Sequence, residues 1–108
     1  KTMLFKEGFE NLEQSASISH LFNKLYVYKK FEEFEEFQDT LIVLCSTLAE
    51  FGLTFMLQEV FDVLFDIETE NFIGPYKKHD LLRKSIAAVY QVGTADSKRA
   101  AKMYSDNL

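Results

Sequence analysis

Residues 53–67 carry ten apolar side chains in fifteen positions: Leu53, Phe55, Met56, Leu57, Val60, Phe61, Val63, Leu64, Phe65 and Ile67. A helix that is apolar nearly all round cannot lie on a wet surface, so its own chain or a partner must wrap it. The segment resolves into two stripes. Leu53, Leu57, Val60, Leu64 and Ile67 form one, and Phe61 and Phe65, with nearby Phe72, form another about 100° of rotation away. The first has an evident partner in the sequence and the second has none.

That evident partner is the segment before it. From Phe34 the apolar positions run Phe34, Phe37, Leu41, Leu44, Leu48 and Phe51, the three-and-four spacing of a helix buried along one seam. Gly52 follows as a left-handed cap, and so short a connection leaves the two helices side by side. The expected centre of the fold is therefore an antiparallel hairpin of helices over residues 31–51 and 53–70.

Around it the chain reads as further helices. The Ser15-Ala16-Ser17 cluster is a natural start, since a serine hydroxyl accepts a bond from a first-turn amide. Ile18, Leu21, Phe22, Leu25 and Tyr28 then share a face, with a break expected at Lys29-Lys30. Residues 71–75 form the clearest interruption, because Pro75 lacks a donor and turns Gly74 away from helix. A basic helix begins near Tyr76, with Leu81, Leu82, Ile86, Val89 and Tyr90 on its apolar side, and Gly93 stops it. Thr94 or Asp96 caps a last, weakly apolar helix through Ala100, Ala101 and Tyr104, expected to be peripheral. Residues 1–14 hold Met3, Leu4, Phe5, Phe9 and Leu12 and read as an arm or a short helix.

Four glycines and one proline are too few to punctuate a many-stranded sandwich, whose turns need them every 8–12 residues. The expectation is an all-α, compact bundle of five or six helices, residues 1–108 forming a single domain. No internal repeat or low-complexity linker argues for a solenoid or a second domain. No charge-free run of 18 apolar residues suggests a membrane span, and a secretory leader is not evident. The chain reads as soluble and cytoplasmic. Because it opens on Lys1, it reads as an excised domain or a processed product.

Net charge is −5, which argues against general affinity for nucleic acid. The charge is unevenly placed, however. Residues 1–74 hold five lysines against fourteen acids, whereas residues 75–108 hold Lys77, Lys78, Arg83, Lys84, Lys98, Arg99 and Lys102 against three aspartates. One reading folds the basic helices back beside acidic faces of the same domain; the other makes residues 76–108 a patch for an anionic partner or nucleic acid.

Several motifs fail where chemistry would need them. Residues 48–54 superficially resemble the turn of a helix-turn-helix, but the following helix presents Phe55, Met56, Leu57 and Glu59, not polar or basic readers of base edges. Residues 66–73 superficially resemble a calcium loop, yet Lys77 stands where its bidentate carboxylate belongs, and Asn71 replaces the turn glycine. Cys45 lies among Leu41, Leu44 and Leu48, where a buried structural thiol fits, and nothing places His20 or His79 beside it. His79-Asp80 reads as first-turn surface, and Glu32, Glu33, Glu35 and Glu36 as a solvated face. No enzyme, cofactor or metal is expected.

The Phe-rich character remains. Phe31, Phe34 and Phe37 stand three apart on one predicted helix, and Phe61, Phe65 and Phe72 on the next. A bundle of this length need not cover all six. The expected function is a non-enzymatic, regulatory protein-interaction module that docks a partner helix, or a second copy as a homodimer, through those six residues.

Overall fold

The computed structural model describes residues 12–64 and 71–106, and what is described is helices and the turns between them, with no strand. Five helices have defined bounds: α1 (Leu12–Lys30), α2 (Phe34–Glu50), α3 (Thr54–Leu64), α4 (Pro75–Val92) and α5 (Ala95–Ser105). Residues 71–73 add a further helical turn. The radius of gyration, 13.0 Å, is that of a folded chain of this length. Residues 1–11 of the arm or short helix expected over 1–14, residues 66–70 of the failed calcium loop over 66–73, and Phe65 lie outside the described residues.

The centre is α2 alone rather than a hairpin. Its most extensive packing is against α4 and α1, with α3 a lesser neighbour. The reason lies in its seam: Phe37, Leu41, Leu44, Cys45, Leu48 and Ala49 are all buried, too broad a face for one partner. Each large aliphatic side chain buried there contributes on the order of 1.5–3 kcal/mol. Cys45 is wholly buried as expected, and burial pushes its thiol up from 9.0 to about 12, with the adjacent Ser85 hydroxyl of α4 pulling slightly the other way. That contact falls short of hydrogen-bond geometry, since Ser85 Oγ has no hydrogen-bond partner.

Both turns around α2 are Schellman motifs. After α2, Leu53 N donates to Leu48 O at 2.9 Å and Gly52 N to Ala49 O at 3.2 Å, with Gly52 left-handed at φ 72° as its sequence position implied. After α1, Glu33 N donates to Tyr28 O at 2.9 Å and Glu32 N to Lys29 O at 3.2 Å. Here the left-handed residue is Glu32, φ 57°, a strained conformation for a residue with a Cβ. This turn corrects the helix expected over residues 31–51. Phe31 sits in it, off the face of Phe34 and Phe37, because α2 begins only at Phe34. α1 likewise starts at Leu12, a turn before the serine cluster.

The last helix is not peripheral. Thr94 caps it as expected, accepting a bond from Ser97 N at 3.2 Å. Its inner face, Ser97, Ala100 and Ala101, is buried against α3 and α4. At its start Ser97 Oγ donates to Ala49 O at 3.0 Å and Thr94 N to the same carbonyl at 3.3 Å. The end of α2 is thereby joined to a corner nearly fifty residues away.

Candidate docking groove

An apolar groove of about 260 Å³ opens between α1, α2 and α3. α1 contributes Phe22, Leu25, Tyr26 and Lys29, the i, i+3, i+4, i+7 positions of one helical stripe. α2 supplies Phe37 and Leu41, and α3 supplies Glu59, Val60, Val63 and Leu64, with Phe72 closing one side. Among the described residues Lys29 and Glu59 are the only charged ones in this lining. Besides Lys29, two rim residues stand open to solvent: Tyr26 is 70% exposed and Val63 54%.

Of the six aromatic residues expected to meet a partner, the five that are described are divided by the fold. Phe34, Phe37 and Phe72 are brought together, with Phe72 packing tilted on Phe34 at 5.0 Å between centroids and edge-on to Phe37 at 5.1 Å. Phe34 and Phe72 are half-buried, whereas Phe37 is a core residue that only touches the groove. Phe31 is exposed on its turn with Lys30 Nζ 5.9 Å above the ring. Phe61 cannot meet a partner in this state, because it is completely buried. Its cover is Tyr104 of α5, ring to ring at 5.0 Å, so the stripe without an evident partner receives one from the far end of the chain.

Tyr104 also holds that cover by its hydroxyl, which donates toward Asp62 Oδ1 at 2.6 Å and Gln58 O at 3.1 Å. Desolvation, then the Asp62 hydrogen bond and charge, push the phenol well above its ordinary range. It remains a donor.

Sequence reasoning missed Leu25, Tyr26 and Val63 as groove residues. A signal existed. Of the ten apolar residues in 53–67, three belong to neither stripe, Phe55, Met56 and Val63, and two of those, Phe55 at 61% and Val63 at 54%, are the exposed ones. Tyr26 and Val27 likewise make α1 apolar on its outer side.

The basic residues of α4 and α5 are largely engaged within their own helices. Asp80 pairs with Arg83 at 4.0 Å and Lys84 at 3.0 Å, Asp96 pairs with Arg99, and Asp106 pairs with Lys102 at 3.3 Å. Lys77 Nζ lies 5.8 Å over the Phe34 ring, and Lys98 is exposed, while Lys78 is half-buried. α5 does pack beside α3, but these ion pairs are local rather than made with an acidic neighbour. Among the described residues no group of three His, Cys, Asp or Glu side chains could hold a metal ion, and no helix is long and apolar enough to cross a membrane.

Residues 1–64 match the family described as Hira, TUP1-like enhancer of split. Protein HIR2 of Candida glabrata is 37% identical over 110 residues, covering 100% of this chain and 11% of that protein. Protein HIR2 of Debaryomyces hansenii is 37% identical over 99 residues, 80% of this chain and 10% of the relative. Protein HIR2 of Saccharomyces cerevisiae is 44% identical over 66 residues, 61% of this chain and 8% of the relative. The chain thus spans about a tenth of the length of the curated relatives it matches. No solved structure matches it.

Proposed function

We propose, from the premise that the chain belongs to the Hira family, that it is a non-enzymatic, regulatory protein-interaction module whose α1–α2–α3 groove receives apolar side chains of a protein partner. One observation carries this reading: all three helices that wall the groove fall within the family-matched residues, and they leave it apolar and open. An open apolar groove loses free energy to water at about 25 cal/mol for every Å² left uncovered, so an occupant recovers that energy. Spacing of large side chains at i, i+4 and i+7 on an amphipathic helix suits a channel running along α1.

The supporting residues overlap only in part with the six aromatics named from sequence. Tyr26, Val63, Leu25 and Phe72 form the reading surface, Phe34 supports Phe72 from behind, and Phe61 belongs to the core. The anion-binding alternative has less behind it, since four of its seven cations already have local acids.

The test places Tyr26→Lys and Val63→Lys in the full-length protein and compares its co-purifying proteins with those of the unaltered protein. Loss of a defined protein from both variants, with unchanged folding, is the expected result. Retention of every companion would overturn the assignment of the groove. Light scattering against concentration, with a dye that reports apolar surface, separates a second copy from an unlike partner: self-association would rise with concentration and fall in Val63→Lys.

A further inference from the structure

The inner face of α5 is built from small side chains. Its buried residues are Ser97, Ala100 and Ala101, so it brings far less apolar surface to the core than the leucines of α2. A helix of 11 residues is not stable by itself, so α5 stays helical only while docked. Its hold is concentrated at two polar points. Thr94 N and Ser97 Oγ meet Ala49 O at one end, and Tyr104 Oη meets Asp62 and Gln58 at the other.

Between those points α5 covers Phe61, which has no exposure at all. The connection to α4 is correspondingly tight. A Cβ on Gly93 would lie 2.5 Å from Val89 O in the last turn of α4 and 3.2 Å from Ser97 Cβ of α5, so a side chain here would force the corner between the two helices to shift. Small buried side chains, polar anchors at both ends and a tight glycine pivot are the makings of a unit that opens before the rest unfolds.

We propose that α5 is a strap that opens as a unit about Gly93, independently of the remaining bundle, with Tyr104 as its latch and Phe61 as the surface it uncovers. This does not depend on the groove's having a partner. In the closed state the occupant of the Phe61 face is α5 itself. Opening converts a core phenylalanine into an exposed one on α3, the same helix that walls the groove.

Native-state hydrogen exchange of the 108-residue chain tests it, comparing amides 99–103 of α5 with amides 44–48 of α2. The expected result is exchange of the α5 group at least about tenfold faster than global unfolding allows, through an opening that little added denaturant affects. Tyr104→Phe and Gly93→Ala each speed it by about tenfold. Gly74→Ala is the control, because Gly74 holds a left-handed φ of 84° far in sequence from α5 and its Cβ would meet nothing. That substitution is expected to accelerate amides 44–48 and leave 99–103 unchanged. Should both groups exchange at one rate and accelerate together in Gly74→Ala, the strap does not open separately and the proposal fails. Unchanged α5 exchange in Tyr104→Phe would remove Tyr104 as the latch.

Discussion

Two sides of α3 meet very different fates. Phe61 and Val63 lie two residues apart, both apolar, yet one has no exposure and the other 54%. Phe61 is sealed beneath Tyr104 of α5, whose hydroxyl is held at the edge by half-buried Gln58 and exposed Asp62, while on the other side Val63 opens into the groove beside the buried Val60 and Leu64. Composition cannot distinguish them, because burial is set by what the rest of the chain brings alongside. Phe61 behaves as core, and Val63 is the exposed side chain on which the proposed recognition rests.

Truncating the sealed side should break the contrast most severely. Phe61→Ala leaves a cavity under Tyr104 and is expected to lower unfolding free energy by about 3–5 kcal/mol in denaturant titration. If it lowers it by less than about 1 kcal/mol, Phe61 is not the core residue described here.

Alkali should attack the sealed core next. The Cys45 thiol titrates higher folded, at about 12, than its ordinary 9.0, so stability is full below pH 9 and falls as pH rises from 9 toward 12. In that window the unfolded chain releases a proton that the folded one keeps, giving a slope of about −1.4 kcal/mol per pH unit for this group. Cys45→Ala should flatten that part of a stability-pH curve, although it also lowers stability at neutral pH. An equal slope in the variant would assign the loss elsewhere.

Tyr104→Phe keeps the ring on Phe61 and deletes only the hydroxyl. Because its acceptor is a carboxylate, a loss of about 1–2 kcal/mol in thermal or chemical unfolding is expected. On the open side, the turn that joins two walls of the groove carries the strained Glu32, and Glu32→Gly should stabilise by about 1 kcal/mol. No gain would mean that the turn relaxes at little cost.

The smallest stability effect should come from the groove. Val63→Lys is expected to shift unfolding by no more than about 0.5 kcal/mol, as for other exposed positions, while abolishing partner or dye binding. A large destabilisation would mark Val63 as core and erase the difference between the two sides.

Much of the fold was legible because helical spacing and caps are local chemistry. The seam from Phe37 to Leu48, the left-handed Gly52, the buried Cys45 and the Thr94 cap all follow from residues within a few positions of one another. The start of α2 was not, since a glutamate at φ 57° held by two turn hydrogen bonds gives no helix-stop signal. The proposed docking surface was legible only as an excess. Reading phenylalanine as the sign of a partner selected Phe61 and Phe37, which packing buries, and passed over Tyr26 and Val63, which packing leaves open.

By itself the sequence determined that this chain would be helical, where the later helices turn, and that it holds more apolar surface than one seam can use. Only the tertiary structure decided that α2 rather than a hairpin is the axis, that Tyr104 arrives over Phe61 from 43 positions along the chain, and that a groove remains beside Val63. Periodicity assigns a side chain to a face of its own helix. Whether that face is covered depends on contacts between residues distant in sequence, which the local pattern does not carry.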